Sequence, residues 1–191
     1  MSLFVIGDTH LSLSTDKPMD IFGGWKNYMQ RLEENWRSVV QPQDTVIIPG
    51  DVSWGMSLEQ AKEDFLFLHR LPGKKILMKG NHDYWWTTRA KMESFLEENG
   101  LDSLSILHNN AVSVEGLSLC GSRGWMFEQG QEHDKKIINR EAGRIRASLQ
   151  DAQRFGEQEK VLFLHYPPVF MQDSIPEFFE VMNQYGVRRC Y

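Results

Sequence analysis

The chain has 191 residues, 41% of them apolar and 25% charged, the profile of a soluble globular domain and not of a disordered chain. Its formal net charge of −5 gives no basic field for nucleic acid or a membrane surface. Cys120 and Cys190 have no metal-site spacing and form no disulfide framework. No apolar run is long enough to span a bilayer or to act as a signal segment, and a cytoplasmic setting is expected.

Short aliphatic runs at residues 3–6, 45–48, 75–78, 106–107, 112–114, 117–120 and 161–164 alternate with stretches of helical period. Several are almost continuously apolar, as strands covered on both faces are. Tyr28, Leu32, Trp36 and Val39 share one face of a helix over about 26–40. Ser57-x-x-Gln60 reads as a capping box ahead of Leu58, Ala61, Phe65 and Leu68. Met92, Phe95 and Leu96 mark a third helix that Gly100 closes. The longest helix is expected over about 134–155 and a last one over about 175–185. This rhythm predicts an α/β domain whose first sheet is mostly parallel, with an antiparallel part near 105–120 where no helix intervenes.

Four of these strands run directly into side chains that bind metals. Residues 3–6 lead to Gly7-Asp8-Thr9-His10, 45–48 to Pro49-Gly50-Asp51, 75–78 to Gly80-Asn81-His82-Asp83, and 161–164 to His165. In open α/β sheets ligands bind at the carboxyl ends of strands. Carboxylate, imidazole and amide oxygen form a donor set that suits manganese, iron or zinc better than magnesium. The Asp8-x-His10 spacing places both side chains on one side of an extended strand end, and glycines at 7, 50 and 80 let backbone turn sharply or approach an ion. Taken singly, each motif also reads as an ordinary turn.

In this order, Asp8-Thr9-His10, Gly50-Asp51, Gly80-Asn81-His82-Asp83 and His165 resemble the calcineurin-like metallophosphoesterase family over nearly the whole chain. The resemblance implies one metallophosphoesterase domain over 1–191, built as two mixed β-sheets packed as a sandwich and flanked by helices. It implies a hydrolase with two divalent ions: Asp8 and His10 on one, Asn81 and His165 on the other, Asp51 bridging. A water held between the ions would attack a phosphomonoester or phosphodiester. His82 would serve as acid at the leaving oxygen, with Asp83 as its orienting partner.

The family pattern continues with Gly-His-x-His, and no histidine follows His165. The stretch Val187-Arg188-Arg189-Cys190-Tyr191 reads as the opening of a strand, so a chain cut short is expected, with each ion one ligand poorer. The competing expectation is a catalytically impaired or silent binding module.

Elsewhere, Gly121-Ser122-Arg123-Gly124 presents an arginine suited to a substrate phosphate. The loop from Asp16 to Trp25 is a candidate substrate lid. Trp54 and Tyr84-Trp85-Trp86 read as core or as site lining. Lys75 is expected simply to open a strand, His69, His108 and His133 to be structural or exposed, and Arg140, Arg144 and Arg146 to form a solvated helix face.

Overall fold

The computed structural model describes residues 1–17, 19–126 and 132–191, the first three residues of the last segment by backbone alone. The His133 side chain and Pro18 of the candidate lid thus lie outside the described residues. The chain divides into two compact units, Met1–Ile106 and Leu107–Tyr191.

The first unit alternates strand and helix: β1 (Leu3–Val5), α1 (Tyr28–Val39), β2 (Thr45–Ile48), α2 (Leu58–Arg70), β3 (Lys74–Leu77), α3 (Arg89–Glu98) and β4 (Leu104–Ile106). Its sheet runs β1-β2-β3-β4 with every pairing parallel, which the crossover helices require. Strand β2 is buried at all four positions, and this explains why its sequence is continuously apolar instead of alternating. Val46, Ile48, Leu68, Leu77 and Leu96 form part of the core beneath it.

Two local expectations shift by one residue. The Ser57 hydroxyl caps α2 by accepting from the Gln60 N–H at 3.3 Å, but Gln60 Oε1 accepts from Met56 N–H and not from the cap residue. Helix α1 ends at Val39, which is 56% exposed, and the next residue, Val40, turns to extended backbone and is buried in its place.

Lys75 does more than open β3. It is fully buried, and its Nζ donates to the carbonyl oxygens of Leu71 at 2.7 Å, Gly73 at 2.8 Å and His69 at 3.5 Å. It therefore caps the carbonyl end of α2, where a cation is favoured. Burial pushes its pKa down to about 8.

In the second unit, β5 (Ala111–Val114) and β6 (Leu117–Ser122) form an antiparallel hairpin. Its two-residue loop, Glu115-Gly116, has positive φ at both positions, as hairpin turns of matching twist demand. Helix α4 (Glu132–Asp151) leads through a 3-10 turn (Ala152–Phe155) to β7 (Glu159–Leu164). Then follow the small hairpin β8 (Val169–Phe170) and β9 (Asp173–Ser174), α5 (Pro176–Gln184) and β10 (Arg189–Cys190). The sheet order is β10-β7-β6-β5, parallel except for β5 with β6. The strand expected near the chain end is β10. Ile145, Leu149, Leu162 and Phe178 lie in this unit's core. No helix among the described residues is long and apolar enough to cross a membrane.

Candidate metal and phosphate site

In the first unit, the segments after β1, β2 and β3 leave the carboxyl edge of one parallel sheet as neighbours. The first two remain laced together beyond their strands. Asp8 N–H donates to Gly50 O at 3.3 Å, His10 N–H to Asp51 O at 2.9 Å and Leu11 N–H to Val52 O at 3.0 Å. The Thr9 hydroxyl donates to Val52 O at 3.0 Å. Strand β1 ends at Val5, and Asp8, His10 and Asp51 all have positive φ, at 54°, 43° and 50°. The Asp8-x-His10 spacing is thus not a strand alternation: left-handed backbone re-aims each side chain separately. Such φ values in non-glycine residues cost roughly 1–3 kcal/mol each and collect at functional sites.

The donor atoms are close. His10 Nε2 lies 3.8 Å from Asp8 Oδ1 and 3.7 Å from Asp51 Oδ2, and carboxylate oxygens of Asp8 and Asp51 lie within 4.8 Å of each other. Atoms bonded to one ion at about 2.0–2.2 Å can be at most roughly 4.4 Å apart, so His10 can share an ion with either carboxylate. Gly80 belongs to the same cradle. A Cβ there would collide with Asp51 Oδ1 and the Asp51 backbone nitrogen. Gly7, by contrast, would meet nothing closer than 3.8 Å.

Asp83 fastens the turns after β2 and β3 to each other. Its Oδ2 accepts from Asp51 N–H at 2.8 Å and Gly80 N–H at 2.7 Å. Its Oδ1 accepts from Val52 N–H at 2.8 Å, Ser53 N–H at 3.3 Å and the Trp85 indole at 2.9 Å. Burial, with a smaller contribution from the Asp51 carboxylate, pushes its pKa up to about 6 against the pull of these donors. With its oxygens occupied in this way, Asp83 makes no hydrogen bond to the His82 ring among the described residues. The expectation that it orients His82 is corrected: Asp83 is a positioning residue for the Asp51 turn.

His82 is held otherwise. Its backbone N–H donates to Asp51 Oδ1 at 2.8 Å, and its Nε2 lies 4.0 Å from Asp51 Oδ2. Its Nδ1 is buried without a hydrogen-bond partner among the described residues. The ring sits 4.6 Å from that of Trp54, which in turn stacks on His10 at 5.1 Å and 20°. Trp54 therefore lines the site, whereas Trp85 is core at 2% exposure. From the lid segment, Trp25 comes within 6.1 Å of the His10 ring and Lys17 Nζ lies 5.4 Å from the Trp54 ring centre. Asn81 occupies the turn between Gly80 and His82.

Sequence reasoning missed Asp64. Buried on α2, it accepts from Leu13 N–H at 2.8 Å and from the Ser53 hydroxyl at 2.5 Å, tying the segment after His10 to the one after Asp51. Burial raises its pKa. A carboxylate on the apolar face of a helix, beside Phe65 and Leu68, is the signal that could have revealed it.

The second unit carries His165 and Arg123, the residues directly after β7 and β6. Those strands are parallel neighbours in a register that pairs Ser122 with Leu164, so the two residues leave adjacent strand ends. Tyr166 N–H donates to Arg123 O at 2.9 Å. Gly124 has φ +72°, and a Cβ there would come 2.5 Å from Tyr166 O. The Arg123 guanidinium lies 5.0 Å from the Trp125 ring centre, and its Nε is buried without a partner among the described residues. Glu141, also missed, holds this turn: its buried carboxylate accepts from the Ser122 hydroxyl, from Gly124 N–H at 3.1 Å and from Arg144 at 2.8 Å. Arg144 is thus partly engaged and not simply a solvated charge.

A family model for the calcineurin-like phosphoesterases matches residues 1–187, and the chain belongs to that family. No curated protein sequence matches it. Among solved structures, a phosphopantetheinyl hydrolase from Mycobacterium tuberculosis is 15% identical over 98% of this chain and 79% of its own, with a TM-score of 0.53. A protein of unknown function from Aquifex aeolicus, AQ665, is 16% identical over 100% of this chain and 89% of its own, with a TM-score of 0.47. The fold is mixed α/β and metallophosphoesterase-like, and a phosphoesterase role is supported for the chain.

Proposed function

We propose that the protein is a metal-dependent hydrolase of phosphomonoesters or phosphodiesters. The observation that carries this reading is the spacing of Asp8 Oδ1, His10 Nε2 and Asp51 Oδ2, within reach of common ions, in a chain of this family. The donor set favours manganese, iron or zinc. Asp8 and His10 would hold one ion and Asp51 would serve two. Asn81 and His165 enter as ligands of the second on the order of the family's motifs. When bound, divalent ions supply an activated water and neutralise charge on the phosphoryl oxygens.

The chain's own groups do the rest. Asp83 fixes the Asp51 turn by accepting its backbone N–H groups. His82 has its Nδ1 buried, which leaves Nε2, on the Asp51 side, to carry a proton to the leaving oxygen. Arg123 would pair with a phosphate oxygen through its guanidinium, whose Nε has no partner among the described residues. Both cysteines are free, with burial pushing their pKa values up to about 12 and about 11. Such inert thiols suit a reducing compartment, which supports our reading of a cytoplasmic setting.

The test is turnover of p-nitrophenyl phosphate and its bis-ester by the purified, folded chain with and without manganese. Manganese-dependent turnover that falls at least about 100-fold in Asp51→Asn is expected. No turnover in either assay, by a chain shown to be folded and metal-loaded, would overturn the reading in favour of a binding module.

A further inference from the structure

A cavity of about 130 Å³ in the second unit is lined by Met126, Tyr166, Pro167, Pro168, Phe170 and Ile175, with Asp173 as a charged group at its wall. Its size has a chemical meaning. An apolar protein cavity of about 150 Å³ takes up a benzene molecule, so this one suits a single ring or a short alkyl arm.

Its position has one too. Tyr166, part of the wall, packs edge-on against the His165 ring, with centroids 4.9 Å apart. Tyr166 also meets Trp125 with ring centroids 6.4 Å apart, and Trp125 lies under the Arg123 guanidinium at 5.0 Å. The apolar hole and a histidine proposed as a metal ligand therefore adjoin one aromatic side chain, Tyr166, whose backbone N–H is bonded to Arg123 O and whose neighbour Trp125 carries the Arg123 guanidinium. Two of its lining residues are also exposed and apolar: Met126 and Phe170 are 46% and 49% exposed, and Val169 and Met171, which flank Phe170 in the chain, are 48% and 85% exposed. Exposed apolar side chains clustered around a cavity mouth mark a binding surface.

We propose that this cavity is the leaving-group pocket and that the substrate is an amphiphilic phosphoester. Its phosphate lies by Arg123 and its uncharged aryl or short alkyl arm enters the cavity. The proposal rests on the phosphoesterase reading and adds the class of alcohol released.

Two measurements test it. Methyl phosphate and benzyl phosphate release alcohols of closely similar acidity, so a difference in kcat/KM between them reports on pocket binding and not on leaving-group chemistry. Benzyl phosphate is expected to be preferred by about 10- to 200-fold, as apolar specificity pockets give. Ile175→Trp, which fills the cavity, should bring the ratio close to one. If that variant fails to fold, Phe170→Ser removes one wall at an exposed site and should lower the ratio severalfold. Independently of activity, benzyl alcohol should shift the methyl NMR signals of Met126 and Ile175 and leave that of Ile47, in the first unit, unmoved. Turnover of both esters at equal kcat/KM would overturn this inference and leave the phosphoesterase reading intact. Ring binding without turnover of either ester would remove the leaving-group role together with that reading.

Discussion

Replacing Asp83 by asparagine separates a positioning role from a stability role. The amide presents N–H₂ where one carboxylate oxygen was. In the milder orientation, the Asp51 and Gly80 N–H groups, now at 2.8 and 2.7 Å from Oδ2, would face another donor. Two buried donors left unsatisfied cost about 2–6 kcal/mol together. Removing the charge offsets part of this. A pKa raised from 3.8 to about 6 corresponds to roughly 3 kcal/mol of disfavoured ionisation at about 1.4 kcal/mol per pH unit. The net loss of stability should therefore be small, about 0–3 kcal/mol, or at most about 12 °C in Tm for a chain of this size. Metal binding should weaken as well, because the freed turn carries Asp51. Loss of such a supporting hydrogen-bond partner usually weakens a metal by about 10- to 100-fold. Calorimetric titration of manganese into the folded variant and the parent measures this directly. A variant that binds manganese as the parent does, whatever its Tm, would refute the positioning role.

Other expectations follow from the same structure. Lys75→Met should reveal a pH signature: the folded pKa is about 8 against 10.5, so the native chain gives up this proton first. The parent should then gain stability relative to the variant as pH rises, by about 2 kcal/mol from pH 8 to 9.5 in urea melts; a flat or falling difference would contradict it. Glu141→Gln should loosen the Arg123 turn and raise KM for a phosphoester severalfold with less effect on kcat, as steady-state kinetics would show. Trp54→Ala removes the ring between His10 and His82 and should cost about 0.5–1.5 kcal/mol of stability per lost aromatic contact, together with weaker metal binding. Chelation should lower Tm, because manganese at about 100 times its Kd adds roughly 2.7 kcal/mol to the stability of the folded chain.

Much of the fold was legible because strands buried on both faces write themselves as unbroken apolar runs, as Thr45–Ile48 does. Helices announced themselves through period and caps, as with Ser57. The candidate ligands stood out in the sequence because Asp8, His10 and Asp51 follow apolar strands, where packing gives no reason for polar side chains. Backbone handedness was not legible. Nothing in Asp8-Thr9-His10 says that both flanking residues adopt positive φ, since that conformation is imposed by hydrogen bonds to Gly50 and Asp51, some 40 residues on. The partners of buried charges were hidden for the same reason. Asp83 reads as a neighbour of His82, yet its oxygens are taken by the Asp51 turn. Lys75 reads as a strand opener, yet it closes a helix.

The left-handed backbone at Asp8, His10 and Asp51 sets chemistry against durability. Glycine adopts such φ values without strain, so Asp8→Gly should leave a chain as stable as the parent or firmer, stripped of a donor. A screen for heat resistance alone would then drift towards losing this donor at position 8, and only selection that also reads metal binding would retain it.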